Sequence, residues 1–360
     1  MQSEFIAEDF AAFWASGRLL LNGDNPYSFD KLLDLQRSIG WTRPDPLIPY
    51  YPPWGIPFIF PFCLDNYILG KFLWLLFNAG LVLFCIHLLL PIYGYPISRS
   101  LVFFIILSFS PVLFALMKGQ NVPLVLLGIV SFLYFIKNQQ YFWAGAATIL
   151  IATKPHTVYL FWIALLLWLL NRRHWKVLIG SGLLFLVFTA FSLHFNPDIL
   201  NQYLSQIIDP SNSFWLTPTI GVFLRNLFGM ERIWLQFIPP VFGTLWFLWY
   251  WRKHMETWDW NKQMPLIIFI SLLTSFYIWG NDYILILPAI IQAAIWILHC
   301  RQNLALNWVI VFYIAINGIA WAIHIWVTSN EQWDIWIVPT CLAVYLTLQE
   351  KLNRNHCLFY

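Results

Sequence analysis

The chain has 360 residues, of which 60% are hydrophobic and 10% charged, with a formal net charge of +3 and a mean hydropathy of +0.65. A soluble domain carries roughly 25% charged residues, so this composition excludes an ordinary soluble protein and predicts an all-α, multi-pass membrane protein surrounded by membrane lipids. The sequence has five cysteines, and it contains no C-x-x-C pair, no Asp-x-Asp pair and no His/Cys cluster. We therefore predict no disulfide framework, bound metal or cofactor, and no nucleic-acid partner.

The first 66 residues are predicted to form an extracytoplasmic region with a short helix lying along the membrane interface. Apolar residues recur at three- and four-residue spacing from Phe10 to Leu20, and the turn sequence "NGDNPY" then ends the helix. Asp9 lies in the first helical turn, where a carboxylate caps free N–H groups and is favoured by the helix dipole. On these residues alone, Asp9 is either a helix cap or a catalytic carboxylate. Glu8 is expected to be a solvated neighbour.

A proline- and aromatic-rich stretch, "PDPLIPYYPPWGIPFIFP" (44–61), follows this helix. Proline removes a backbone donor and restricts the preceding residue, so regular helix is excluded here. The stretch is predicted to be a rigid loop on the membrane surface or, alternatively, the aromatic wall of a cavity for a sugar or a lipid head group.

The rest of the chain is predicted to be a bundle of about eleven transmembrane helices over 67–350, with a cytoplasmic tail at 351–360. This expectation rests on apolar runs close to the roughly 20 residues that cross a hydrocarbon core. The runs are 68–90, 100–117, 121–137, 141–153, 156–170, 176–194, 232–250, 264–279, 283–298, 303–326 and 333–349.

Basic residues predict the orientation of this bundle, because cytoplasmic loops are enriched in Lys and Arg. Placing residues 1–66 outside the cytoplasm puts the clusters "NRRHWK" and "WRKH" inside, together with three acidic residues. The inward basic residues are then Arg99, Lys137, Arg172, Arg173, Lys176, Arg252, Lys253, Lys262, Arg301, Lys351 and Arg354. The larger acidic loops face outward, so an active site is expected on the extracytoplasmic face.

Short outward loops carry the remaining candidate residues. "MKGQN" supplies Lys118, "TKPH" supplies Lys154 and His156, "WGNDY" supplies Asp282, and a longer loop supplies Arg225. The lysines are either anchors at the lipid interface or phosphate ligands, since ionisable residues at membrane depth often mark functional sites. His156 and Asp282 are either turn residues or substrate contacts. Together with Asp9, the two lysines and Asp282 are expected to surround one outward-opening cavity.

Five segments in chain order resemble glycosyltransferase family 87, a group of integral-membrane enzymes of GT-C type. They are "DFAAFWASGRLLLNGDNPYSF", "YYPPW", "KGQNVPLVLLG", "ATKPHTVYLF" and "NDYILILP". The resemblance implies a GT-C-like fold and transfer of a hexose such as mannose from a polyprenyl-phosphate donor to a hydroxyl of a lipid or glycan acceptor. It implies Asp9 as the base, and it suggests substrate contacts for Gln120, Tyr27, Tyr51 and Tyr283.

The chain departs from the family pattern in two places. Family members usually have a transmembrane helix before the Asp-Phe segment, whereas eight residues precede Asp9 in this sequence. The family often has His where this chain has Asp282, which points to a different substrate.

An acceptor hydroxyl that loses its proton to one carboxylate, with in-line displacement of a lipid phosphate, would invert the anomeric centre.

Two other functional classes remain open from the sequence. A membrane transporter or lipid flippase would be expected to show internal repeats or paired broken helices, and no repeat is evident. A non-catalytic relative of such transferases is the third interpretation.

Overall fold

The chain folds into helices and loops, without a β-strand, throughout the residues that a computed structural model describes: 7–94, 99–208, 215–299, 303–326 and 331–354. The predicted inward residue Arg301, residues 1–6 of the first region and residues 355–360 of the tail lie outside the described residues. The described α-helices are α1 (Glu8–Leu21), α2 (Phe29–Ser38), α3 (Tyr67–Tyr93), α4 (Arg99–Ser108), α5 (Ser110–Lys118), α6 (Val122–Lys137), α7 (Tyr141–Ile151), α8 (Tyr159–Arg172), α9 (Trp175–Phe195), α10 (Ile199–Ile208), α11 (Ile220–Phe228), α12 (Ile238–His254), α13 (Trp260–Thr274), α14 (Leu287–His299), α15 (Asn303–Trp326) and α16 (Ile337–Arg354). Short 3-10 helices lie at Pro53–Phe58, Phe60–Phe62, Ile233–Phe237, Gly280–Ile286 and Glu331–Trp336.

The described helices confirm the all-α prediction. Within the described ranges, four stretches are long and apolar enough to cross a membrane, and α6, α7 and α8 are shorter apolar helices. The predicted span 100–117 is divided into α4 and α5, because Pro111 in the first turn of α5 has no N–H to continue a helix from before it. The count of about eleven spans stays a prediction. The four long stretches are Tyr67–Tyr93, Trp175–Phe195, Gly280–Leu298 and Asn307–Trp326.

Much of the apolar surface of the bundle is exposed. In the most apolar stretches of α9 and α15, only 17% and 11% of the residues are buried. Large side chains such as Leu186 and Trp326 are among those left uncovered. Apolar patches of this extent are rare on soluble monomers and mark contact with a partner or a membrane.

Helices α6, α7 and α9 pack side by side, and glycines allow the closest approach. A Cβ atom added at Gly145 in α7 would lie 2.0 Å from the carbonyl oxygen of Val177 in α9. A Cβ atom at Gly180 would lie 2.1 Å from the carbonyl oxygen of Phe142 in α7. Small residues at such a crossing bring two backbones into contact, which is the usual way membrane helices associate.

Helix α1 is buried against other parts of the protein, and its predicted position along the membrane interface stays a prediction. Ten of its fourteen residues are buried. The Phe10 ring stacks on Tyr67 and Trp74 of α3, with both centroid distances 5.8 Å. The indole of Trp14 donates a hydrogen bond to the carbonyl oxygen of Leu64 at 2.8 Å. Aromatic packing therefore fixes α1 against the start of α3 and holds its first turn in place.

The close crossing of α7 and α9 gives a prediction about stability. Gly180→Ala should lower the midpoint of thermal unfolding in detergent, because the new methyl group overlaps the Phe142 backbone; overpacking of this kind costs about 1–3 kcal/mol. Gly182→Ala on the same helix is the control, since a Cβ atom there meets nothing within 4 Å. Equal midpoints for the two variants would contradict the crossing.

Candidate active site

Four of the predicted site residues lie close together where helices α5 and α7 end and helices α6 and α8 begin. They are Asp9, Gln120, Lys154 and Asp282. The backbone N–H of Ala7 donates to the carbonyl oxygen of Met117 at 2.7 Å, which places the start of α1 against the end of α5. Gly119 follows α5 with a left-handed φ of 69°, and a Cβ atom there would lie 2.8 Å from the Cβ of Ala7. Glycine is the residue that this turn and close approach require. The turn brings Gln120 beside Asp9.

A continuous chain of hydrogen bonds joins these residues. Gln120 donates from Nε2 to Oδ2 of Asp9 at 2.6 Å, and its Oε1 accepts from Nζ of Lys154 at 2.9 Å. Lys154 also forms an ion pair with Oδ1 of Asp282 at 2.8 Å. The second oxygen of Asp282 accepts from the backbone N–H of Trp279 at 2.9 Å. The Asp282 side chain is completely buried and that of Lys154 is 13% exposed, so this is a buried ion pair with its polar atoms satisfied.

Lys118, the other predicted phosphate ligand, is also occupied. Its ammonium group pairs with Oε1 of Glu331, and Oε2 of the same carboxylate accepts from the backbone N–H of Gly280 at 3.0 Å. Burial raises the pKa of nearby Asp334 to about 6, while Lys118 acts to lower it. A phosphate that bound at Lys118 would have to share its ammonium group with Glu331 or displace that carboxylate.

His156 lies beside this network as a neutral group. Burial lowers the pKa of its imidazole to about 4; Asp282 opposes the effect and Lys154 adds to it. Its Nε2 atom is buried and has no hydrogen-bond partner within the described part of the chain. At neutral pH the imidazole carries no charge, so His156 can contribute a hydrogen bond to a ligand but not a counter-charge for phosphate.

Three tyrosines, Tyr27, Tyr51 and Tyr283, were predicted to contact the substrate, and Tyr51 borders the hydrogen-bonded network. Tyr51 lies next to Asn121 and Thr153, the sequence neighbours of the two network residues. The hydroxyl of Tyr27 donates to the backbone carbonyl of Tyr51 at 2.8 Å, and this bond helps to hold Tyr51 in place. The hydroxyl of buried Tyr283 donates to the carbonyl oxygen of Pro218 at 3.3 Å.

Arg225 is directed into the loop that follows α11. It is fully buried, with Nε donating to the carbonyl oxygen of Met230 at 3.0 Å and Nη1 donating to Oε1 of Gln236 at 2.6 Å. These bonds connect α11 to the following loop and to the 3-10 helix Ile233–Phe237, which precedes α12. The structure therefore gives Arg225 a supporting position, and its predicted substrate contact stays a prediction.

Two expectations about the first turn of α1 need correction. Ala7, with φ of 60°, occupies the N-cap position, and the Asp9 side chain faces Gln120 instead of capping its own helix. Glu8 is not simply solvated, because it forms an ion pair with Arg43 at 2.6 Å. Arg18, which the helical spacing separates from Asp9, pairs with Asp65 at 2.6 Å.

The carboxyl group of Asp9 lies under opposing influences. Burial raises its pKa above the ordinary value of 3.8, and this is the largest effect. Lys118, the hydrogen bond from Gln120 and Lys154 act to lower it, while Asp282 acts to raise it. Among the residues that the structure describes, Asp9 makes its one side-chain hydrogen bond to Gln120. Oδ1 therefore remains available for a ligand.

Sequence reasoning missed Glu331 and Asp334, which both approach Gly280. Their segment, "SNEQWD" (329–334), lies at the start of the predicted span 333–349. The sequence signal that could have identified them was a pair of acidic residues at the predicted outward end of a helix. Within the described residues, no group of three or more His, Cys, Asp or Glu side chains is placed to hold a metal ion.

The model of one protein family, described as glycosyltransferase family 87, matches residues 50–348. The chain belongs to glycosyltransferase family 87. No curated protein and no solved structure matches it significantly. With this family and its long apolar helices, the protein is a membrane glycosyltransferase. The matched residues include Lys118, Lys154 and Asp282, whereas Asp9 precedes them.

The buried ion pair of this glycosyltransferase gives a second prediction. Asp282→Asn should destabilise the protein by about 3–5 kcal/mol, because it leaves the Lys154 ammonium buried without its counter-charge. Asp65→Asn breaks the pair with Arg18 instead, where Asp65 is 90% exposed, and should cost at most about 1 kcal/mol.

Thermal unfolding of both purified variants in the same detergent would measure the difference. Adding Lys154→Met to Asp282→Asn removes the buried ammonium group that has lost its counter-charge, so this double variant should regain part of the stability. A midpoint for Asp282→Asn equal to that of Asp65→Asn would show that the pair does not stabilise the fold.

Proposed function

We propose that this glycosyltransferase moves a hexose, such as mannose, from a polyprenyl-phosphate donor to an acceptor hydroxyl on the extracytoplasmic face, with inversion. Asp9 is the general base of this reaction. Its carboxylate takes the hydroxyl proton while the acceptor oxygen bonds to the anomeric carbon. The bond from that carbon to the phosphate oxygen breaks, and polyprenyl phosphate leaves with the electron pair.

The observation that carries the proposal is the setting of Asp9. Its carboxylate is half-buried, has one oxygen free of described hydrogen bonds, and lies under the influence of two lysines. A base must reach the proton that it removes, and a positioned carboxylate of this kind is suited to a hydroxyl substrate. At the same end of the bundle, the partly exposed Lys118 is the cation that could stabilise a leaving phosphate.

Helix topology supports the extracytoplasmic assignment. Asp9, Gln120 and Lys154 lie at one end of α6, and Lys137 lies at the other end, where its ammonium group contacts the carbonyl oxygens of Pro91 and Ile92 at 2.6 and 2.7 Å. With basic residues favoured on the cytoplasmic side, the Asp9 end faces outward.

Substitution of Asp9 tests the base directly. Asp9→Asn should lower kcat roughly 10²–10⁴-fold, because the amide keeps the size of the side chain but cannot accept the proton. Membranes are incubated with radiolabelled polyprenyl-phosphate sugar and candidate acceptors, and glycosylated product is counted. Glu8→Gln is the matched control and should retain activity, since that carboxylate pairs with Arg43. Equal product from Asp9→Asn and the wild type would remove Asp9 as the base, and substrate efflux without product would favour a transporter.

The raised pKa of Asp9 predicts the acid side of the pH profile. A base works when ionised, so kcat/KM should fall as the pH is lowered through the pKa of Asp9, at a pH above the ordinary 3.8. Burial is the main cause of the raised value. The profile is measured with the wild type at constant ionic strength. An acid limb at or below 3.8 would contradict the assignment.

A further inference from the structure

Gln120 occupies a fixed position between two charged groups. Its backbone N–H donates to the carbonyl oxygen of Ala115 at 3.0 Å, and the preceding carbonyl, that of Gly119, accepts from the indole of Trp74 at 2.7 Å. The residue is 9% exposed. Its side chain is therefore held by a rigid turn, and only the orientation of the terminal amide remains to be decided.

Lys154 decides that orientation. An ammonium group only donates hydrogen bonds, so the atom of Gln120 that meets Nζ at 2.9 Å must be the amide oxygen. The NH₂ group is then directed at Asp9, 2.6 Å from Oδ2. The assignment follows from the chemistry of the partners and not from an arbitrary choice between O and N. Reversing the amide would place its NH₂ against an ammonium and its oxygen against a carboxylate.

Asp282 in turn holds Lys154. Its Oδ1 lies 2.8 Å from Nζ, and the Trp279 N–H fixes Oδ2 at 2.9 Å. With its charge balanced by a fully buried carboxylate, Lys154 is poorly placed to neutralise an additional phosphate. Its remaining effect on the site is exerted through the Gln120 amide and through the field at Asp9.

We propose that Gln120 is a positioning residue for the base, and that the Lys154–Asp282 pair serves to orient Gln120 and not to bind the donor phosphate. This rests on the proposed function of Asp9. The amide holds Oδ2 as a hydrogen-bond acceptor, which favours the ionised carboxylate and keeps Oδ1 directed at the acceptor hydroxyl. Asp282 lies where the family often has His, and it thus acts on Asp9 through the side chains of Lys154 and Gln120.

The other groups that face Asp9 bear on any test by pH. They are Lys118 from the end of α5, Lys154 from the loop after α7, Asp282 from the 3-10 helix Gly280–Ile286, and Tyr277 from the segment after α13. None of them is changed in a substitution confined to Gln120. Lys154 loses its hydrogen bond to Oε1 in such a variant, so a shift in the titration of Asp9 reports the loss of the amide together with both of its hydrogen bonds.

The test measures the protonation of Asp9 without requiring a substrate. The full chain is placed in lipid nanodiscs, and the carboxyl stretch assigned to Asp9 by its loss in Asp9→Asn is titrated by infrared difference spectroscopy. Gln120→Met keeps the approximate length but removes the hydrogen bond, so the pKa of Asp9 should rise. Gln120→Glu places a second carboxylate beside Asp9 and should raise it further. Gln292→Met is the control, because that buried glutamine bonds to Tyr345.

Kinetics then separate positioning from phosphate binding. Gln120→Met should lower kcat roughly 10–100-fold, the usual consequence of a misplaced catalytic group, and should move the acid limb to higher pH. The double variant Lys154→Met/Asp282→Asn leaves no unpaired buried charge; it should lower kcat while the donor KM stays within about twofold.

Each outcome has one meaning. An Asp9 titration that is the same in Gln120→Met, Gln120→Glu and Gln292→Met would overturn the role of Gln120, even if Asp9→Asn is inactive. A large rise in donor KM for the double variant, with kcat unchanged, would return Lys154 to phosphate binding and overturn its orienting role. An active Asp9→Asn variant would instead remove the proposed base, while the infrared titration would still report the hydrogen bond.

Discussion

The candidate site depends on the buried ion pair between Lys154 and Asp282. Two charges removed from water are tolerated only when their remaining protons and lone pairs find partners. The partners here come from separate parts of the chain: Gln120 after α5 accepts from Lys154, and the Trp279 N–H holds Asp282. Satisfying one buried pair therefore aligns two loops and a 3-10 helix, and through Gln120 it reaches α1.

Asp9 lies at the end of this chain of bonds, where two opposing effects act on the pKa of its carboxyl group. Burial favours the protonated form, whereas the nearby lysines and the Gln120 amide favour the ionised one. A base needs enough basicity to take a proton and must still be ionised at working pH. The network surrounds Asp9 with groups that act on its pKa in both directions, while Glu331 pairs with Lys118.

Part of the site was predictable from residue type and position along the chain. Asp9, Lys118, Lys154 and Asp282 were expected at one end of the bundle, and the structure brings them together there. Their partners could not be predicted. Gln120 is 111 residues from Asp9, Lys154 is 128 from Asp282, and Glu331 is 213 from Lys118. Periodicity and turn chemistry act over a few residues, so they carry no information about pairings over such separations.

The sequence by itself determined the class of fold, because an apolar chain in a membrane must satisfy its backbone within helices, and it determined the family through short motifs at the helix ends. Pro111 and Gly119 also determined where α5 begins and ends, since their effects on the backbone are local. Only the tertiary structure decided that α1 is buried, that Lys154 is neutralised and that Gln120 faces Asp9. Each of these outcomes depends on which buried polar group lies within about 3 Å of another, a distance that packing sets and composition does not.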